Sequence, residues 1–102
     1  MTESRAFEWA AAEMEPVFGM SRLETRGTLR LALKEAGIEP RLVNARQLAV
    51  VMERILPRLL RARRIAEPDP ACTSLALRLR EMRFDDSMSN SAEDIFRRLA
   101  RR

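Results

Sequence analysis

Histidine and tyrosine are absent from this 102-residue chain, cysteine occurs once and glycine three times. Each scarcity removes a class of chemistry. Without histidine the chain lacks the commonest general base, the commonest metal ligand and the side chain that titrates near neutral pH. Cys72, with no histidine to partner it, makes neither a Cys–His nucleophile nor a zinc cage, and it can close no disulfide within the chain. Gly19, Gly27 and Gly37 are too scattered for a phosphate-cradling loop. The stretch "FDDSMSNSAED" gathers Asp85, Asp86, Asn90, Glu93 and Asp94, but it lacks the alternating spacing and central glycine of a calcium loop. No catalytic residue, metal or cofactor is expected, and the chain does not read as an enzyme.

Long apolar runs are missing as well. The longest, residues 48–52, is far too short to cross a bilayer, and the acidic N-terminus has no signal-peptide core. With a single cysteine, a reducing cytoplasm is the expected location, with no membrane partner. Aromatics are limited to Phe7, Trp9, Phe18, Phe84 and Phe96. The core must therefore be built from Leu, Ile, Val, Met and Ala, which suits helices better than strands.

Lysine is nearly absent too. Of 19 basic residues only Lys34 is not arginine. The codon usage of a GC-rich genome accounts for this more readily than selection for guanidinium geometry, which grips phosphate or carboxylate through two bonds at once. The net charge of +4 is unevenly placed. Residues 1–21 carry Arg5 against Glu3, Glu8, Glu13 and Glu15, whereas residues 22–83 hold 14 basic and 7 acidic groups. An acidic head beside a basic middle fits charge pairing within one chain or across a dimer.

What is present is helical periodicity. Phe7, Ala10, Ala11 and Met14 mark a first helix over residues 4–14, ended by Pro16, with Trp9 on its opposite face. A second spans residues 22–36. Ser21 and Glu24 have capping-box spacing, and Gly37 followed by Ile38 and Pro40 predicts a Schellman ending. Its stripe is Leu29, Ala32, Leu33 and Ala36, and Gly27 inside it suggests a close helix crossing. Asn44 and Gln47 open a long third helix reaching about residue 63, kinked or broken near Pro57. Its stripe is Leu48, Met52, Ile55, Leu59 and Ala62, flanked by Ala49, Val51, Leu56 and Leu60. A fourth is capped by Asp69 with Pro70 in its first position, and buries Cys72, Leu75, Ala76, Leu79 and Met82. A short fifth opens at Ser91. The fold expected is all-α, one small bundle of four to five helices around the third, with residues 1–84 as the core and 85–102 as a polar tether plus C-terminal helix.

Two constellations carry the functional reading. If helical geometry persists through Pro57, Arg54, Arg58 and Arg61 stack on one line with Arg64 near it, and Arg22, Arg26 and Arg30 make a similar ridge. Such stripes can follow a phosphate backbone or an acidic protein surface, although a solvated outer face laced with Glu53 and its neighbours is the plainer reading. A helix-turn-helix is disfavoured, because the "GIEPRLVN" connection is too long and the following turns are apolar. The second constellation is apolar. Trp9, Leu31, Val50 and Leu77 project away from the buried stripes of their own helices, and Ile95, Phe96 and Leu99 form the apolar side of the C-terminal helix. That helix either closes over its own bundle or reaches into a partner, and its serine- and aspartate-rich tether favours the partner. The segment "TLRLALKEAGIEPRLVNARQLAVVMERIL" resembles small bacterial helical adaptor domains; the resemblance carries no functional residues. The expected function is a small, non-enzymatic, protein-binding regulator or adaptor, with a homodimer as one form it could take. The alternative is a nucleic-acid-binding protein using the arginine ridges.

Overall fold

The computed structural model describes residues 3–82, and every regular element among them is a helix: α1 (Arg5–Phe18), α2 (Arg22–Ala36), α3 (Ala45–Arg54), α4 (Leu56–Ala62) and α5 (Pro68–Glu81). The chain is an all-α bundle. The expected helix opening at Ser91, with Ile95, Phe96 and Leu99, lies outside the described residues.

The helix ends follow the local chemistry. Ser21 Oγ accepts from the Glu24 N–H at 3.1 Å while the Glu24 carboxylate accepts from the Ser21 N–H at 3.0 Å. Asn44 and Gln47 make the same reciprocal pair at 2.7 and 3.1 Å. Each box satisfies donors that a helix N-terminus otherwise leaves open. At the end of α2, Gly37 takes φ 73°, its N–H reaches the Lys34 carbonyl, and the Ile38 N–H reaches the Leu33 carbonyl at 2.9 Å. Those two bonds are the Schellman pattern.

Pro16 and Pro70 behave otherwise than the sequence suggests, while Pro57 marks the expected break. Pro16 does not end α1, which runs on to Phe18. Ala12 and Pro16 are both exposed, so the carbonyl that loses its amide partner faces water. Gly19, at φ 65°, ends the helix instead, its N–H bonding to the Glu15 carbonyl. The long third helix is two helices. Ile55, at φ −113°, closes α3 and opens α4, and Pro57 falls in the first turn of α4, where a missing N–H costs little. The break turns the buried phase: Leu56 and Leu60 go inward, Ile55 and Leu59 are half-buried and Ala62 is exposed. At α5 the cap is Glu67 rather than Asp69, and Pro68 takes the first helical position. Asp69 is left as an acidic residue in the first turn, favourable to the helix dipole.

Among the described helices, α3 alone contacts all four others, most extensively α5. Its Leu48, Ala49, Val51 and Met52 are buried against Phe7, Ala10 and Met14 of α1, Leu29 and Leu33 of α2, and Leu75, Ala76 and Leu79 of α5 in one cluster. The buried stripe of α2 also differs from the expected one, because Ala36 is exposed while Thr25 and Thr28 are buried. Each threonine hydroxyl donates to the carbonyl four residues back, at 2.8 Å, so its polar atom is satisfied and its methyl packs. Among the described residues no helix crosses at Gly27: it is exposed, and a Cβ built on it would meet nothing within 4 Å. Gly27→Ala is therefore expected to raise stability by about 0.5–1 kcal/mol, through the lower backbone entropy of the unfolded chain. A urea midpoint at or below that of the wild type would contradict this.

Candidate functional site

Three carboxylates of the acidic head, those of Glu3, Glu8 and Glu13, pair within the chain. The Ser4 side chain accepts from the Phe7 N–H, and the Ser4 N–H donates to the Pro40 carbonyl, which places Glu3 and Glu8 beside α2. Arg26 grips the Glu8 carboxylate with two bonds, at 2.9 and 2.7 Å, and reaches Glu3 at 2.7 Å; Arg30 bonds the other Glu3 oxygen. Both guanidinium groups lie on the buried Phe7 ring, 5.2 and 5.8 Å from its centre. Glu3 and Arg26 side chains are only 12% and 15% exposed, so water screens this cluster less than an ordinary surface pair. Burial pushes the Glu3 carboxyl up, but the Arg30 and Arg26 contacts outweigh it and hold it below its ordinary value. The Arg26 hydrogen bonds hold Glu8 down, and Arg26 is raised in return.

The arginine ridges do not survive as continuous stripes. The break at Ile55 separates Arg54 on α3 from Arg58 and Arg61 on α4. Arg58 pairs with Glu35 of α2, and Arg61 with Asp69 of α5. Arg64 leaves the helical line altogether: at φ 65° it takes the left-handed position that ends α4, with the Ile65 N–H reaching back to the Leu60 carbonyl. On α2, Arg26 and Arg30 turn onto Glu3, Glu8 and Phe7, leaving Arg22 without an ion pair among the described residues.

The off-stripe apolar residues divide. Trp9 is half-buried beneath the Arg78 guanidinium, 4.9 Å from its ring, and Arg78 also bonds Glu13. Leu31, Val50 and Leu77 are open, at 49%, 46% and 56% exposure. The structure adds Leu23, 80% exposed, together with Val17 and Leu42. Leu23, Gly27 and Leu31 follow one i, i+4 ridge on the outer side of α2, about 12 Å long. The spacing was in the sequence, but it reads as noise until Gly27 is known to be open. Val50 and Leu77 sit elsewhere. Each is three residues before a member of the Glu53–Arg80 pair, which joins α3 to α5 by two bonds at 2.7 and 2.8 Å. They therefore share the surface that carries this pair.

Cys72 is buried, and burial pushes its thiol up to about 12, so it holds almost no thiolate at neutral pH. Among the described residues no group of three or more Cys, Asp or Glu is placed to hold a metal ion, and no helix is long and apolar enough to cross a membrane. Comparison with protein-family models, with curated proteins and with solved structures finds no match.

Proposed function

We propose that this chain is a small, non-enzymatic protein-binding regulator or adaptor that meets its protein partner through the outer ridge of α2. The observation that carries the reading is Leu23 at 80% exposure and Leu31 at 49% on either side of a glycine whose Cβ position is open. A helix laid across Gly27 can approach the α2 backbone closely while the two leucines fill the grooves beside it. Gly27 costs α2 stability and serves no turn, which fits a position kept open for contact. Burying two leucines contributes roughly 3–6 kcal/mol, not enough by itself to offset association entropy and reach micromolar affinity. The contact must therefore extend beyond the ridge.

The nucleic-acid reading is supported less. Of its seven arginines, Arg26, Arg30, Arg58 and Arg61 each already bond a carboxylate of the same chain.

The test is the double variant Leu23→Glu with Leu31→Glu, set against Arg54→Gln with Arg58→Gln and Arg61→Gln. The proteins that the wild type retains from its host at moderate salt, and its mass by light scattering, provide the readouts. The leucine variant is expected to keep its melting temperature and lose partner retention or self-association at least tenfold. Retained nucleic acid that the arginine variant alone abolishes, with a steep salt dependence, would replace this reading with the other.

A further inference from the structure

The surface that carries Val50 and Leu77 also carries arginines. Glu53 and Arg80, bonded to one another, stand in the last turns of α3 and α5, and α5 ends at Glu81. The extensive contact between these helices therefore runs backward from that pair, with both chains in the same direction. Ala49 and Ala76, one turn back on each, are fully buried and let the backbones come close, which sets Val50 beside Leu77. Arg46, Val50 and Arg54 follow one i, i+4, i+8 ridge on the outer side of α3, and all three are exposed. The arginines lie about 12 Å apart along the axis. Neither makes an ion pair among the described residues, and Glu53 gives both its oxygens to Arg80. On α5, Glu81 follows Leu77 by one turn and is exposed. The face thus has an apolar centre, a cation at each end along α3 and a carboxylate at its α5 edge.

We propose that this α3–α5 surface is a second docking site, one that takes an acidic amphipathic helix of a separate protein. An apolar side chain of that helix sits on Val50 and Leu77, and carboxylates one turn before and after it meet Arg46 and Arg54. Charge complementarity selects this occupant. A second copy of the chain is a poor match. Outside the Ser21–Glu24 capping box, the described carboxylates without an ion pair among the described residues are Glu15, Glu67 and Glu81. They lie on separate segments and present no acidic ridge on one helix. A nucleic-acid backbone would set phosphates over the apolar pair and beside Glu81, neither of which favours an anion. α5 makes no contact with α2, so this surface stands apart from the Leu23–Leu31 ridge and the two sites can be tested independently. Two such surfaces are what an adaptor needs to join two proteins.

The test selects a display library of amphipathic helical peptides, varied in charge around a central apolar position, on the full chain. Enriched sequences are expected to carry Glu or Asp four residues before and four after Leu, Ile or Phe. A synthetic peptide of the winning sequence should bind more weakly as salt is raised. It should lose at least tenfold in affinity for the full-length variant Arg46→Glu with Arg54→Glu, and keep its affinity for Leu23→Glu with Leu31→Glu. Lysine in place of its two acids should restore binding to the arginine variant. Both arginines are exposed, so that variant is expected to fold; should it not, Arg46→Gln with Arg54→Gln gives the same comparison with a smaller loss. No enrichment, neutral or basic winners, or an affinity that the arginine variant leaves unchanged would overturn the proposal. So would duplex DNA bound by the wild type at physiological salt and released by the arginine variant, which would make the surface a nucleic-acid contact.

Discussion

Phe7→Ala is expected to cost the domain about 3–5 kcal/mol, a large part of the roughly 5–15 kcal/mol that holds a small domain folded. Phe7 is fully buried, at the junction of α1 with the core. Its ring is also the platform beneath Arg26 and Arg30, which organise Glu3 and Glu8 above it. Removal leaves a cavity below and two guanidinium groups without their apolar support, so the charged cluster loosens together with the core. The melting temperature is expected to fall on the order of 20 °C. Phe7→Leu, which keeps much of the bulk but loses the ring face, should cost about 1–2 kcal/mol. If leucine costs nothing, the ring face is not the support assigned to it.

Arg26→Met is expected to destabilise by about 2 kcal/mol near neutral pH, an effect that fades in acid. Methionine keeps an apolar stem over Phe7 but removes the charge that Glu3 and Glu8 share. Both carboxyls are held below their ordinary value of 4.5 in the folded chain, Glu3 against the opposing push of its burial. A depressed carboxyl stabilises the fold fully above its unfolded value and loses that contribution as pH falls through the folded value. The wild type should thus hold its advantage over the variant down to about pH 4.5 and lose it progressively below. Urea titrations of both proteins at pH 7, 4.5 and 3 read this directly. A gap between them that is the same at all three would mean that Arg26 acts by packing on Phe7 rather than by charge. Because Phe7 and Arg26 touch, the double variant should cost less than the two single losses added together.

Local chemistry was legible in the sequence wherever a helix end is decided by a few neighbouring residues. Ser21 with Glu24, Asn44 with Gln47, and Gly37 with Ile38 need no tertiary contact to bond as they do, and all three are found. The inner faces of α1 and α3, and that of α5 apart from the half-buried Met82 beyond its end, follow in the same way from helical spacing, because a stripe of Phe7, Ala10 and Met14, or of Leu48 and Met52, has only the core to enter. The acidic head and basic middle announced their pairing, although not that Glu3, Glu8 and Glu13 would find their arginines on their own chain.

The tertiary structure decided what depends on competition between distant groups. Pro16 reads as a stop, yet whether its orphaned carbonyl meets water or apolar side chains is settled by which face of α1 the bundle covers. Pro57 permits a kink or a break, and the break at Ile55 turned Leu56 and Leu60 inward and dissolved the arginine line that a straight helix would have made. Thr25 and Thr28 look like surface residues until their hydroxyls bond back to α2 and their methyls pack. For the surfaces the reason is sharper still. Spacing placed Leu31, Val50 and Leu77 off the buried stripes, but it placed Trp9 there too; that Arg78 covers Trp9 while the leucines and Val50 stay open is a property of the packed bundle and of no single segment.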